Sequence, residues 1–185
     1  QTLHGLGCQT MLLDGDQLRQ GLCGDLGFSN EDRTENIRRA GEVARLFFES
    51  GHIVICTFIS PIARDRSVVR ALTPEGRFVE IHVDCPVEVC IERDPNGLYR
   101  DALKGAIKDF TGISANYEPP TAPEITVRTD RESPDQIVAS LLRWLVDKGI
   151  VRVKTADEDE RVGGAESSTL ARVRAIERKL DAKAE

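Results

Sequence analysis

The stretch His52–Ser60, HIVICTFIS, does most to decide the fold. It is apolar and β-branched almost throughout, and it does not alternate. A strand with one wet face alternates, so this run predicts a strand buried on both faces, as in a parallel sheet. Pro61 stops it and suits the first turn of a helix running to about Leu72. Upstream, Ser29-Asn30-Glu31-Asp32 supplies an N-cap and first-turn acids. Ile37, Gly41, Ala44 and Phe48 then mark one face of an amphipathic helix that ends at Gly51.

Outward from this core the alternation continues. Met11–Leu13 is an apolar run, Phe78–Val83 (FVEIHV) predicts another strand, and a short helix follows Pro86. The stretch from Asp94 to Pro123 holds Pro95, Pro119, Pro120 and Pro123 and predicts mostly loop, with a short helix near Tyr99 to Ile107. Loops this long in a compact domain are commonly lids or binding loops. Ile125–Val127 closes the strand set, and Ser133 caps a helix beginning at Pro134. The expectation is an α/β fold with a mainly parallel sheet and helices on both faces. Such folds place ligands beyond the carboxyl ends of the strands.

Composition narrows the function classes. The chain has 185 residues with 40% hydrophobic and 30% charged residues, which allows one well-filled core. A net charge of −6 argues against a nucleic-acid-binding surface. No apolar stretch reaches the ~20 residues of a membrane span, and no signal peptide is evident, so no membrane association is expected. Cys8, Cys23, Cys56, Cys85 and Cys90 are odd in number and never spaced C-x-x-C, the pattern of reduced cytoplasmic thiols. His4, His52 and His82 stand alone and read as structural. Beyond Val151 the sequence turns polar, so 1–151 is read as the domain and 152–185 as a linker with an amphipathic tail helix around Leu170, Val173 and Leu180.

The candidate chemistry starts in LLDGDQLR, Leu12–Arg19. Residues i and i+2 of a strand point the same way, so Asp14 and Asp16 are expected to aim two carboxylates into one space, with Gly15 leaving room for close approach. Such a pair suits Mg²⁺ or a general base. Ser60 ends the second strand beside them. Arg19 and Arg33 flank LGF, and arginine forks match phosphate or sulfate oxygens. Arg38 and Arg39 read as solvated helix residues and are left out. Phe28 and Phe110 are loop aromatics able to stack on a base.

Taken in order, LLDGDQLR, GLCGDLGFSNEDRTENIRR, FISP, ERDPNGLY and IKDFTGI resemble the adenylylsulfate kinase family from about Leu3 to Ile150. The resemblance implies a P-loop kinase fold. It also implies transfer from ATP, with Mg²⁺, to the ribose 3′-hydroxyl of adenosine 5′-phosphosulfate in sulfate activation. By the same resemblance Asp16 is base or metal-linked acid at the hydroxyl, and Asp14 supports it or the metal. Gln17, Arg19, Arg33, Thr34, Glu35 and Asn36 line the acceptor site. Phe28 and Phe110 sandwich its adenine, and Ile59 and Ser60 touch it from the strand end. Asn96, Lys108 and Asp109 sit on a lid over it, and Arg93 is a candidate contact to ATP. The family position of Ser60 is often described as a phosphoserine intermediate; direct in-line transfer with Ser60 as a substrate contact is the reading adopted. The family also implies a homodimer and a fused or associated ATP sulfurylase.

The chain departs from the family pattern in several places. Gln17 stands where Asn is usual, Asn96 where Lys is usual, and IARDR follows ISP where an aromatic and an arginine are usual. No G-x-x-x-x-G-K-[ST] loop occurs. The chain opens on Gln1 without a methionine, so residues are expected upstream, with Gln1–Leu6 ending the P-loop helix. Without the strand that carries that loop, sheet edges and core would lie exposed. A chain truly beginning at Gln1 is expected to lack kinase activity. Two other readings stand beside the enzyme. One is an inactive domain that binds adenylylsulfate or its product and regulates a partner. The other is a further small P-loop kinase, which fits the fold but not the DGDQLR, LGF and DFTG set.

Overall fold

The computed structural model describes residues 1–152. The expected tail helix lies outside them, and the expected boundary after residue 151 falls at their edge. The chain divides into two compact units: Gln1–Thr10 with the segment from Arg131 onward, and Met11–Asp130.

The first unit holds α1 (Thr2–Gly5) and α7 (Pro134–Asp147). α7 starts as its sequence dictates. The Ser133 hydroxyl accepts the Gln136 amide at 3.3 Å while the Gln136 side chain accepts the Ser133 amide at 2.9 Å, and proline opens the first turn. Leu3, Ala139, Leu142 and Val151 are buried.

The strands of the described residues lie in the second unit, apart from Thr10, the first residue of β1. β1 (Thr10–Asp14) pairs with β2 (Ile53–Thr57), and β3 (Ile81–Asp84) pairs in parallel with β4 (Ile125–Arg128), Ile81 opposite Ile125 and Asp84 opposite Arg128. Between them run α2 (Gly15–Arg19), α3 (Asn30–Glu49), α4 (Ala63–Arg70), α5 (Val87–Arg93) and α6 (Leu98–Leu103). α3 begins where expected, with the Ser29 hydroxyl accepting the Asp32 amide at 3.1 Å. It packs against β2 and α4. Gly41 makes the α3–α4 approach possible: a Cβ there would lie 2.8 Å from Val69 Cγ2. Leu13, Cys23, Ile37, Ala40, Ala102 and Val127 are buried in this unit.

Two expectations are corrected. The run His52–Ser60 does not form a strand covered on both faces: Ile55 on β2 is exposed, as are Leu12 on β1 and Ile81 and Val83 on β3. The physical reason is the sheet arrangement: among the described residues each strand has one hydrogen-bonded neighbour and is therefore an edge strand. Residues 78–80, expected to open the third strand, lie outside β3, which starts at Ile81. The Glu80 amide donates to the Glu124 carboxylate at 2.6 Å, and Phe78 lies under the Arg70 guanidinium at 4.6 Å. Among the described residues no helix is long and apolar enough to cross a membrane.

Candidate functional site

The carboxyl ends of β1 and β2 meet at Asp14 and Thr57. β1 stops at Asp14, and Gly15–Arg19 turns at once into α2. Asp14 is its N-cap: one carboxylate oxygen accepts the Asp16 amide at 3.1 Å and the Gln17 amide at 3.2 Å, and the other accepts the Thr57 hydroxyl at 2.8 Å. The Thr57 hydroxyl, with these amides, holds the Asp14 carboxyl below its ordinary value. Asp14 and Asp16 therefore do not point the same way from one strand. The strand-pair expectation failed because a short acid before a glycine competes as a helix cap. Gly15 is tightly enclosed where it stands, since a Cβ would meet Phe58 Cδ1 at 3.1 Å and the Thr57 carbonyl at 3.3 Å.

Asp16 is left exposed at the start of α2, with no hydrogen bond or ion pair to its carboxylate among the described residues. For a divalent cation the two acids are unequal. Asp14 has both oxygens engaged, whereas Asp16 offers a free hard oxygen donor. Mg²⁺ is commonly held by one or two carboxylates plus substrate phosphates, so Asp16 fits such an ion. No cluster of three or more metal-ligating side chains exists among the described residues.

Arginines build the next wall. Arg19 donates from Nη1 to the carbonyls of Leu26 (3.2 Å) and Gly27 (2.8 Å) and lies 4.3 Å over the Phe28 ring. Arg33 donates from Nε to the Phe28 carbonyl (3.0 Å) and from Nη2 to the Asp109 carbonyl (2.7 Å), and lies 5.7 Å from the same ring. Among the described residues neither forms a salt bridge. Burial, then the neighbouring charge of Arg19, lower the Arg33 pKa. Two guanidiniums at one ring, neither of them in a salt bridge among the described residues although the Asp109 charge lies near Arg33, leave a positive potential that suits an anion.

Arg33 also brings the two expected aromatics into one neighbourhood, because it bridges the backbone of residue 28 to that of residue 109. Phe28 is 58% exposed. Phe110 is half-buried, edge-on to Tyr99 at 5.0 Å, and anchored by its amide to the Ser114 hydroxyl at 3.0 Å. Asp109 has φ +54°, an uncommon conformation for a residue with a side chain. Ser60 shares it at φ +40°, and Ile59 beside it is exposed. Lys108 and Asn96 are exposed, with no ion pair to Lys108 among the described residues.

Other expected site residues are engaged elsewhere. Glu35 pairs with Arg38 (2.7 Å) and Arg39 (2.8 Å), which hold its carboxyl at about 2, and Arg39 continues to Asp25 at 2.6 Å. Arg39 is thus not an idle solvated residue but the clasp between α3 and the loop before it, whereas Arg38 is exposed and pairs only with Glu35 inside the helix. Asn36 is only 5% exposed. Thr34 donates to the buried Asp65 at 2.9 Å. Arg93 donates to the Thr129 carbonyl at 2.8 Å. The sequence reading missed Thr57, Asp65, Tyr99, Arg66 and Glu118; each acts through a partner distant in sequence, so no local pattern marks it.

The profile of the family described as Adenylylsulphate kinase matches residues 1–128. The adenylyl-sulfate kinase of Thermodesulfovibrio yellowstonii is 54% identical over 146 residues, 79% of this chain and 73% of that protein. The solved structure of the Mycobacterium tuberculosis APS kinase CysC in complex with AMPPNP and APS superposes with a TM-score of 0.70 at 38% identity, covering 79% of this chain and 83% of that one. The hexameric APS kinase from Thiobacillus denitrificans gives a TM-score of 0.58 at 33% identity, over 80% of this chain and 24% of that one.

Proposed function

The chain belongs to the adenylylsulphate kinase family of P-loop kinases, and from that premise we propose that it phosphorylates the ribose 3′-hydroxyl of adenosine 5′-phosphosulfate with ATP. The observation that carries the mechanism is the free carboxylate of Asp16 beside the Asp14 cap. Asp16 accepts the hydroxyl proton as the 3′-oxygen attacks the γ-phosphorus of ATP, and ADP leaves with the electrons of the broken P–O bond. The products are ADP and 3′-phosphoadenosine 5′-phosphosulfate. Asp14 fixes the backbone from which Asp16 projects. Asp16 is also the residue whose second carboxylate oxygen would hold Mg²⁺, and the ion would supply charge neutralisation at the phosphates.

Arg19 keeps Nε and Nη2 for the phosphosulfate, since its hydrogen bonds to the loop use only Nη1. Phe28 and Phe110 offer ring faces to the adenine. Ser60 touches substrate at the strand end, and Gln17, Ile59, Asn96, Lys108 and Asp109 complete the surroundings, Lys108 as an exposed cation over the anion. Self-association, supported by the hexameric Thiobacillus relative, and an associated ATP sulfurylase belong to the same proposal.

The test is a coupled ADP-release assay on the complete protein with adenosine 5′-phosphosulfate, with the phosphorylated product located by NMR. Turnover to the 3′-phosphate is expected. Asp16→Asn should cut kcat by orders of magnitude while leaving acceptor binding nearly intact. An unchanged kcat would remove Asp16 from proton transfer, and phosphate on another hydroxyl would overturn the assigned product.

A further inference from the structure

Ser60 occupies a left-handed conformation that a side chain makes costly, and such strain persists only where the surroundings over-determine it. One guanidinium stands at the centre of those surroundings. Arg66 donates from Nη1 to the Ser60 carbonyl at 2.8 Å and from Nη2 to the Glu118 carbonyl at 2.7 Å. Its Nε faces Glu80 Oε1 at 2.8 Å in an ion pair whose side chains are 12% and 17% exposed. Two nitrogens thus donate to main-chain oxygens while the third lies in the ion pair, three directions that lysine cannot reproduce.

The clamp closes from the other side. The Glu118 amide donates to the Pro61 carbonyl at 2.9 Å, and the Glu118 carboxylate accepts the Ala63 amide at 2.7 Å. Glu80 is itself held by Arg70 at 3.1 Å, and Arg70 by Glu124 at 2.7 Å. Glu118 lies in the stretch between α6 and β4 that also carries Lys108, Asp109 and Phe110. One side chain thus ties the turn at the end of β2 to the loop bearing the aromatic of the acceptor site.

We propose that Arg66 is a positioning residue for the phosphoryl acceptor, locking Ser60 and the 104–124 loop into one geometry through their backbone carbonyls. This rests on the acceptor site proposed above. The prediction is specific to one substrate: loosening the clamp should disturb the adenylylsulfate side and spare the ATP side.

The experiment compares the complete wild-type protein with Arg66→Lys and with Arg66→Met/Glu80→Gln, which removes the ion pair without stranding a buried charge. Initial rates are measured with each substrate varied in turn. Loss of charge-assisted hydrogen bonds should raise the acceptor KM about tenfold or more, with the ATP KM within about twofold. An unchanged acceptor KM, or an equal rise for both substrates, would overturn the proposal. Hydrogen exchange of the same proteins reads the clamp without turnover: the Ala63 and Glu118 amides, which are hydrogen-bonded across it, should lose protection in Arg66→Lys, and unchanged protection would overturn the clamp. If the wild type fails to phosphorylate adenylylsulfate, the proposed function falls, while the exchange result still decides the role of Arg66.

Discussion

Gly41→Ala sets two physical effects of opposite sign against each other. In the middle of an exposed helix, replacing glycine by alanine stabilises by about 0.8–1 kcal/mol. Here the new Cβ would meet Val69 Cγ2 at 2.8 Å, Val69 Cγ1 at 3.1 Å and Leu72 Cδ1 at 3.2 Å. Val69 cannot swing aside cheaply, because a β-branched residue in a helix holds one χ1 rotamer. Overpacking of this kind costs about 1–3 kcal/mol. The net expectation is destabilisation of up to about 2 kcal/mol, a fall in Tm of about 2–4 °C per kcal/mol for a chain of this size. The same shift between α3 and α4 should loosen the Thr34–Asp65 hydrogen bond, which joins them at 2.9 Å. Thermal unfolding of the complete protein, scored against the exposed helix control Ser140→Ala, measures the effect. A Gly41→Ala variant with raised Tm would show that propensity wins and that the α3–α4 contact has slack.

Two further outcomes follow from the site and its frame. Phe110→Ala should weaken adenylylsulfate binding by about 1–3 kcal/mol, as for loss of a base-stacking ring, and calorimetry that finds unaltered affinity would leave the ring as packing against Tyr99. Glu124, held at about 2 chiefly by the Arg70 guanidinium, contributes stability that is fully present above pH 4.5 and is lost as pH falls toward 2. Denaturant midpoints of wild type and Glu124→Gln should therefore converge on acidification; a gap that stays constant down to pH 2.5 would remove this carboxylate from the acid response.

Elements with a local code were legible. The Ser29 and Ser133 caps, the break at Gly51 and the helix after Pro86 all follow from residues within one turn of each other. The acidic turn was legible in content but not in direction, because a one-residue difference in where β1 ends converts Asp14 from a side chain on a strand into a cap on a helix. Face burial was misread for a different reason. An apolar run reports the tendency to be covered, not which neighbour covers it. Arg33 was legible as a candidate cation but not as a bridge to Asp109, and Arg66 was invisible, because their partners lie far along the chain. Glu35 and Asn36 share α3 with Arg33, yet one is clasped in an ion cluster and the other buried; helical phase separates neighbours that a motif lists together.

The carbonyl-directed arginines bear on how freely the sequence can drift. Arg19, Arg33 and Arg66 grip the backbone at Leu26, Gly27, Phe28, Ser60, Asp109 and Glu118. A main-chain oxygen is the same whatever side chain stands beside it, so the gripped positions Leu26 and Phe28 are open to exchange without losing the grip, while the gripping positions are not. Ser60 and Asp109 escape that freedom only through their backbone angles, which leave room for glycine, asparagine or aspartate and little else. Variation in this scaffold is thus channelled: the loops can explore new side chains toward the ligand while three guanidiniums keep their paths unchanged.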